Sequence, residues 1–207
     1  MRSILILLIT LLSCNIFELD ANSQTAKPQS ARQQIAAAVL PLPEVMRKDA
    51  TVMGYAVDMS LVTLRKGSNG MVCTAPYPEQ KDFDVRCYHE SFMPLLLRIR
   101  ELYSEGVRDP DLSKTIDAEI KAKKLTIPDH PIAGYRMLGP MSAYHPDTNM
   151  VDQAIESWQS IHFPYKTAAE IGLPEEGQVK PPFPYVMASG TYWSHVMIEH
   201  GSVPHQK

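Results

Sequence analysis

LVTLRKGSNGMVCT, residues 61–74, joins two extended-looking runs through a turn. Leu61 to Leu64 and Met71 to Thr74 carry the apolar and β-branched residues that suit strands. Between them, Lys66-Gly67-Ser68-Asn69-Gly70 is a strong turn signal, because Gly and Asn tolerate positive φ at little cost. The expectation is a β-hairpin that pairs Leu61–Leu64 with Met71–Thr74. Just upstream, Ala50 to Val57 has the composition of a further strand.

On the N-terminal side, Ala31 to Leu40 (ARQQIAAAVL) is Ala- and Gln-rich and predicts a short helix stopped by Pro41. Pro43 to Lys48 fits one more turn. On the C-terminal side, Ser91 is placed to cap a helix running to Glu105. Phe92, Leu95, Leu96, Ile99, Leu102 and Tyr103 fall on one broad face of it, and Gly106 ends it. A second helix follows, capped by Asp109, opened by Pro110, and patterned by Leu112, Ile116 and Ile120. Lys121, Lys123 and Lys124 lie in its last turn, where cations suit the helix dipole. Ile132 to Leu138, Ser157 to Phe163, Tyr185 to Ala188 and Ser194 to Glu199 read as strands. Ser142 to Thr148 reads as loop, and Thr167 to Ile171 as at most a short helix. The order predicts a single α+β domain with a mainly antiparallel sheet and a few helices on one side.

The start of the chain has the features of an export signal. Arg2 supplies a positive charge, and Ile4 to Leu12 is an apolar run shorter than the ~20 residues a bilayer span needs. Two processing sites compete. Ala21-Asn22-Ser23 has small residues at the spacing of a signal-peptidase site, leaving Gln24 first. Leu11-Leu12-Ser13-Cys14 looks like a lipobox, with Cys14 as the lipidated first residue. The expected organisation is therefore a signal peptide over 1–23, or 1–13 for a lipoprotein. A tether with the N-terminal helix follows over 24–48, then the α+β domain over 49–207. A periplasmic, secreted or lipid-anchored location follows, with no transmembrane span.

Composition agrees with a globular body of ordinary size. Hydrophobic residues make up 44% of the chain, enough for a core, and the net charge is only −3. Without a basic run or stripe, a nucleic-acid partner is not expected. Of the three cysteines, Cys73 and Cys87 remain in the body, with thirteen residues between them. In an oxidising compartment such a pair is expected to form a disulfide that staples the loop Thr74 to Arg86. A metal-thiolate pair is the alternative, without the CxxC spacing that supports one.

Several segments resemble a family of exported bacterial proteins of unknown function. Leu64-Arg65-Lys66-Gly67-Ser68-Asn69-Gly70 with Cys73 and Cys87 is similar to its LR-x-G-x-N-G … C … C opening. Tyr135-Arg136-Met137-Leu138-Gly139 resembles its Tyr-x-Leu-x-Gly segment. Pro184 to Met187, then Gly190 to Ile198, resembles its closing PYVM … GTPYAHLMI. Tyr192 stands where that pattern has proline. The resemblance implies a shared fold and export, and no activity.

Candidate chemistry gathers in the last third. Trp158, Tyr185, Tyr192 and Trp193 offer aromatic surface for a small apolar or sugar-like ligand. His162 and His195 sit in strand-like contexts, and on neighbouring strands they would share a face. They are the candidate ligands for a Zn or Cu ion and the candidate base in a metal-dependent or hydrolytic enzyme. No HExxH, HxH or G-x-S-x-G pattern accompanies them. The leading expectation is a non-catalytic domain that binds a small ligand or protein partner through these residues.

Overall fold

A computed structural model describes residues 27–202; Cys14 and Gln24 lie outside the described residues. The elements are α1 (Ala31–Ala38), α2 (Glu44–Arg47), β1 (Thr51–Tyr55), β2 (Leu61–Arg65), β3 (Met71–Thr74) and β4 (Asp82–His89). Then come α3 (Met93–Ser104), α4 (Asp111–Lys121), β5 (Ile132–Pro140), β6 (Tyr144–His145) and β7 (Met150–Val151). The last are β8 (Glu156–His162), α5 (Ala168–Ile171), β9 (Tyr185–Met187) and β10 (His195–Ser202). Eight strands form one sheet in the order β2-β1-β3-β4-β5-β8-β10-β9, and β6 pairs with β7 separately. Of these strand pairings only β1–β3 is parallel. The class is the expected α+β fold.

The expected hairpin does not form. β1 lies between β2 and β3, antiparallel to the first and parallel to the second. Residues 66–70 therefore cross the start of β1 instead of closing a two-strand turn. The crossing is tied down by backbone polar groups. The N–H groups of Ser68 and Asn69 donate to the Asp49 carbonyl, and the Asn69 amide donates to the Met46 carbonyl. Gly67 is needed for this approach, since a Cβ there would lie 2.2 Å from the Asp49 oxygen. Gly and Asn make the turn, as their chemistry requires. Which strands it joins is set by partners distant in sequence.

The segment expected to be a stapled loop is half strand. β4 begins at Asp82, and Cys73 and Cys87 are direct cross-strand partners joined by the disulfide. Helix starts also differ in detail. His89, not Ser91, caps the turn before α3, its Nδ1 accepting from the Ser91 N–H. α4 has no side-chain cap, and Asp109 instead accepts from the Ser113 hydroxyl. Within the expected loop Ser142 to Thr148, β6 pairs with β7.

Helices cover both faces of the sheet rather than one. α1 packs Ala37 and Ala38 against the face formed by Val52, Phe83, Val85, Cys87 and Met137. Gln34, buried on α1, acts as a strand surrogate: its Nε2 donates to the Tyr55 carbonyl and its Oε1 accepts from the Tyr55 N–H. On the opposite face, α3 and α4 pack Leu95, Leu102, Leu112 and Ile116 with Tyr88, Phe92, Ile132 and Tyr192. Among the described residues, no helix is long and apolar enough to cross a membrane.

Candidate functional site

β4 reads DFDVRCYH, and its alternation builds the site. Phe83, Val85 and Cys87 point into the α1 layer and are fully buried. Asp84, Arg86 and Tyr88 leave the strand on the other face, toward α3. Their neighbours there are Val72 and Thr74 on β3, and Gly134 and Arg136 on β5. α3 does not lie flat on this surface. Of its residues only Leu95 and Leu102 are buried, while Leu96 and Ile99 are half-buried. The gap beneath is a cavity of about 590 Å³, a volume typical of small-molecule sites. Leu96, Ile99 and Tyr103 form its roof, Val72, Arg86 and Tyr88 its floor, and Tyr192 and Trp193 one wall.

The floor carries a charged triad. Arg86 and Arg136 face each other across β4 and β5, an arrangement that like charges disfavour. Asp84 lies between them. Its Oδ1 accepts from Nε of Arg86 (3.0 Å) and of Arg136 (2.8 Å). Its Oδ2 accepts from Nη2 of Arg86 (2.5 Å) and of Arg136 (2.9 Å). Partial burial pushes this carboxyl up, but hydrogen bonds and charge from the two guanidiniums outweigh it and hold the pKa below the usual carboxylate range. Arg136 is also stacked over Trp158, 5.0 Å from the ring centre. At the β1 side, Arg100 donates to the Tyr55 hydroxyl at 3.0 Å. Burial pushes the Tyr88 phenol up, so it stays protonated as a donor. Gly134 makes room for Tyr88: a Cβ there would lie 2.7 Å from Tyr88 Cε1 and 2.5 Å from Ser160 Oγ.

The residues expected from sequence are divided by the fold. His162 and His195 are cross-strand partners on β8 and β10, on one face, with ring centroids 4.7 Å apart and planes 24° apart. Tyr88, Phe92 and Trp193 surround the His162 ring. His162 is 1% exposed and His195 7%. His162 Nε2 pairs with Ser160 Oγ at 3.1 Å, and His195 Nδ1 pairs with the Trp193 carbonyl at 2.7 Å. Burial, with a smaller contribution from His195, pushes His162 down to about 3; burial also lowers His195. Both rings are therefore neutral at pH 7.

This geometry does not favour the pair as metal ligands or as a catalytic base. Imidazole nitrogens bind in the ring plane, so two near-parallel stacked rings do not converge on one ion. Among the described residues, no group of three or more His, Cys, Asp or Glu is arranged to hold a metal. Ser160 and His162 are bonded as a serine–histidine pair would be, but neither lines the cavity, and both are buried. Of the aromatic candidates, Tyr192 and Trp193 line the cavity. Trp158 lies under Arg136, and Tyr185 donates to Glu199 at 2.5 Å, both away from the cavity lining.

Arg86, Tyr88, Arg100 and the α3 underside did not enter the sequence-based site. The strict alternation of Phe83, Val85 and Cys87 with Asp84, Arg86 and Tyr88 was the available signal for the floor. No protein-family model, curated protein or solved structure matches the chain. Function is therefore argued from the site's own chemistry.

Proposed function

We propose that this is an exported, non-catalytic binding domain that takes a small ligand between α3 and the sheet. The observation that carries this is the cavity of about 590 Å³, with a Leu96–Ile99 roof and an arginine–tyrosine floor. It is a half-open groove of mixed lining, and apolar surface with a few placed polar groups is the usual character of a small-molecule site. Export is supported by the leader-like first residues, by the Cys73–Cys87 disulfide, and by the lack of a membrane-spanning helix among the described residues. The resemblance to exported proteins of unknown function points the same way. Lipid anchoring through Cys14 belongs to this reading as one of its two processing routes.

Binding of the neutral fluorophore 1-aminoanthracene to the purified mature chain tests the cavity. Saturable fluorescence enhancement is expected, lost in Leu96→Trp, which fills the space beneath α3. Enhancement that is absent, or unchanged in that variant, would remove the proposal.

A further inference from the structure

The charges around the cavity do not balance locally. One carboxylate, Asp84, is shared by two guanidiniums, and all four of its hydrogen bonds are used on them. The triad therefore carries one unit of excess positive charge. Arg136 is occupied, being paired with Asp84, stacked on Trp158, and absent from the cavity lining. Arg86 is not. Its side chain lines the cavity, is 43% exposed, and has an Nη1 without a hydrogen-bond partner among the described residues.

A second cation stands at the β1 side of the same cavity. Arg100 lies 5.3 Å from the Tyr55 ring centre and spends one N–H group on the Tyr55 hydroxyl. Tyr88 adds a phenol beside Arg86 with no hydrogen-bond partner among the described residues. Besides Asp84, the lining holds one other carboxylate, Asp109, on the Tyr192 side, where it accepts from Ser113 at 2.6 Å. Arg86, Arg100 and Tyr88 thus each bring donor capacity to one lining, where the nearby Glu79 carboxylate is engaged by the Tyr77 hydroxyl at 3.2 Å, and Leu96, Ile99 and Trp193 supply apolar surface.

We infer that the ligand is an amphipathic organic anion: an oxyanion head held by Arg86 and Arg100, on a flat apolar body lying under α3. This rests on the cavity being the ligand site. A guanidinium fork binds a carboxylate, sulfonate or phosphate through paired N–H groups. Partial enclosure by apolar walls strengthens that contact by excluding water.

The test compares two fluorophores of similar size on the mature chain, anionic 1-anilinonaphthalene-8-sulfonate and neutral 1-aminoanthracene. Arg86→Gln is a mild probe, because Asp84 keeps Arg136 as its partner and the pair becomes neutral. It should weaken the anion about tenfold or more, the scale of one charge-assisted contact, and leave the neutral probe within about twofold. Arg100→Gln should act in the same direction, and added salt should weaken only the anion. If both probes bind the wild type and Arg86→Gln shifts them equally or not at all, the anion assignment is overturned while the cavity reading stands. If neither probe binds, or Leu96→Trp leaves both unchanged, the cavity reading itself fails and takes this inference with it.

Discussion

His162 and His195 are stacked cross-strand neighbours whose rings are 4.7 Å apart and closed off by Trp193, Phe92 and Tyr88. The pair has a structural meaning before any chemical one. Among the described residues His162 Nδ1 has no hydrogen-bond partner, and a proton there would place a charge in an aromatic cage beside a second imidazole. The fold thus holds both rings neutral, packed behind the wall of the cavity.

Acid sensitivity follows, with a defined sign. The unfolded His162 takes up its proton near pH 6.5, the folded one only near about 3. Its neutral form therefore stabilises the fold fully above pH 6.5. That contribution is lost as pH falls, by up to about 1.4 kcal/mol per pH unit, until pH approaches 3. Urea denaturation between pH 7.5 and 4.5 should show the decline, and His162→Phe should flatten it. A wild-type stability constant across that window would contradict the buried neutral ring.

Gln34 offers a sharper test of the α1 contact. It satisfies both backbone groups of Tyr55 at the end of β1. Gln34→Leu leaves a buried donor and acceptor without partners, which costs about 1–3 kcal/mol for such a group. The urea midpoint should fall with the slope unchanged. A change within experimental error would mean that water or the strand edge replaces the amide.

The disulfide should stabilise mainly through the unfolded chain. Cys73 and Cys87 are 14 apart in sequence, and closing a loop of that size is worth roughly 3 kcal/mol. The double variant Cys73→Ala, Cys87→Ala should lose about this much in denaturant titration, with the cysteine-bearing face still packed by α1. A loss near zero would show that β3 and β4 are held by pairing alone.

Gly134 links the histidine pair to the cavity. A side chain there collides with Ser160 Oγ and Tyr88. Gly134→Ala should cost about 1–3 kcal/mol by overpacking and weaken 1-aminoanthracene by displacing Tyr88 from the floor. Unchanged affinity in a folded variant would separate Tyr88 from the ligand site.

Processing is settled by the mass of the chain recovered from its native envelope fraction. An exported chain starts at Gln24 or at lipid-modified Cys14, and palmitate labelling that disappears in Cys14→Ser identifies the second. A chain retaining Met1 through Leu12 in the cytosolic fraction would end the export proposal.

Local features were legible in the chain of residues alone. Ala-rich composition and the Ser30–Gln33 capping box place α1. Gly106, at φ +83°, closes the turn after α3, and the strand-like composition of β5, β8 and β10 is visible in the chain. The expected pairing of Cys73 with Cys87 also holds, and His162 and His195 meet on one face as their strand positions suggested. The remaining features depend on contacts between residues distant in sequence. The KGSNG turn is the same local chemistry in a hairpin or a crossover, and long-range pairing places β1 between β2 and β3. A histidine's role depends on what encloses it, and the cage comes from β4, the start of α3 and the β9–β10 turn. The cavity exists because α3 stands off the sheet above Arg86, and backbone periodicity carries no information about the distance between layers.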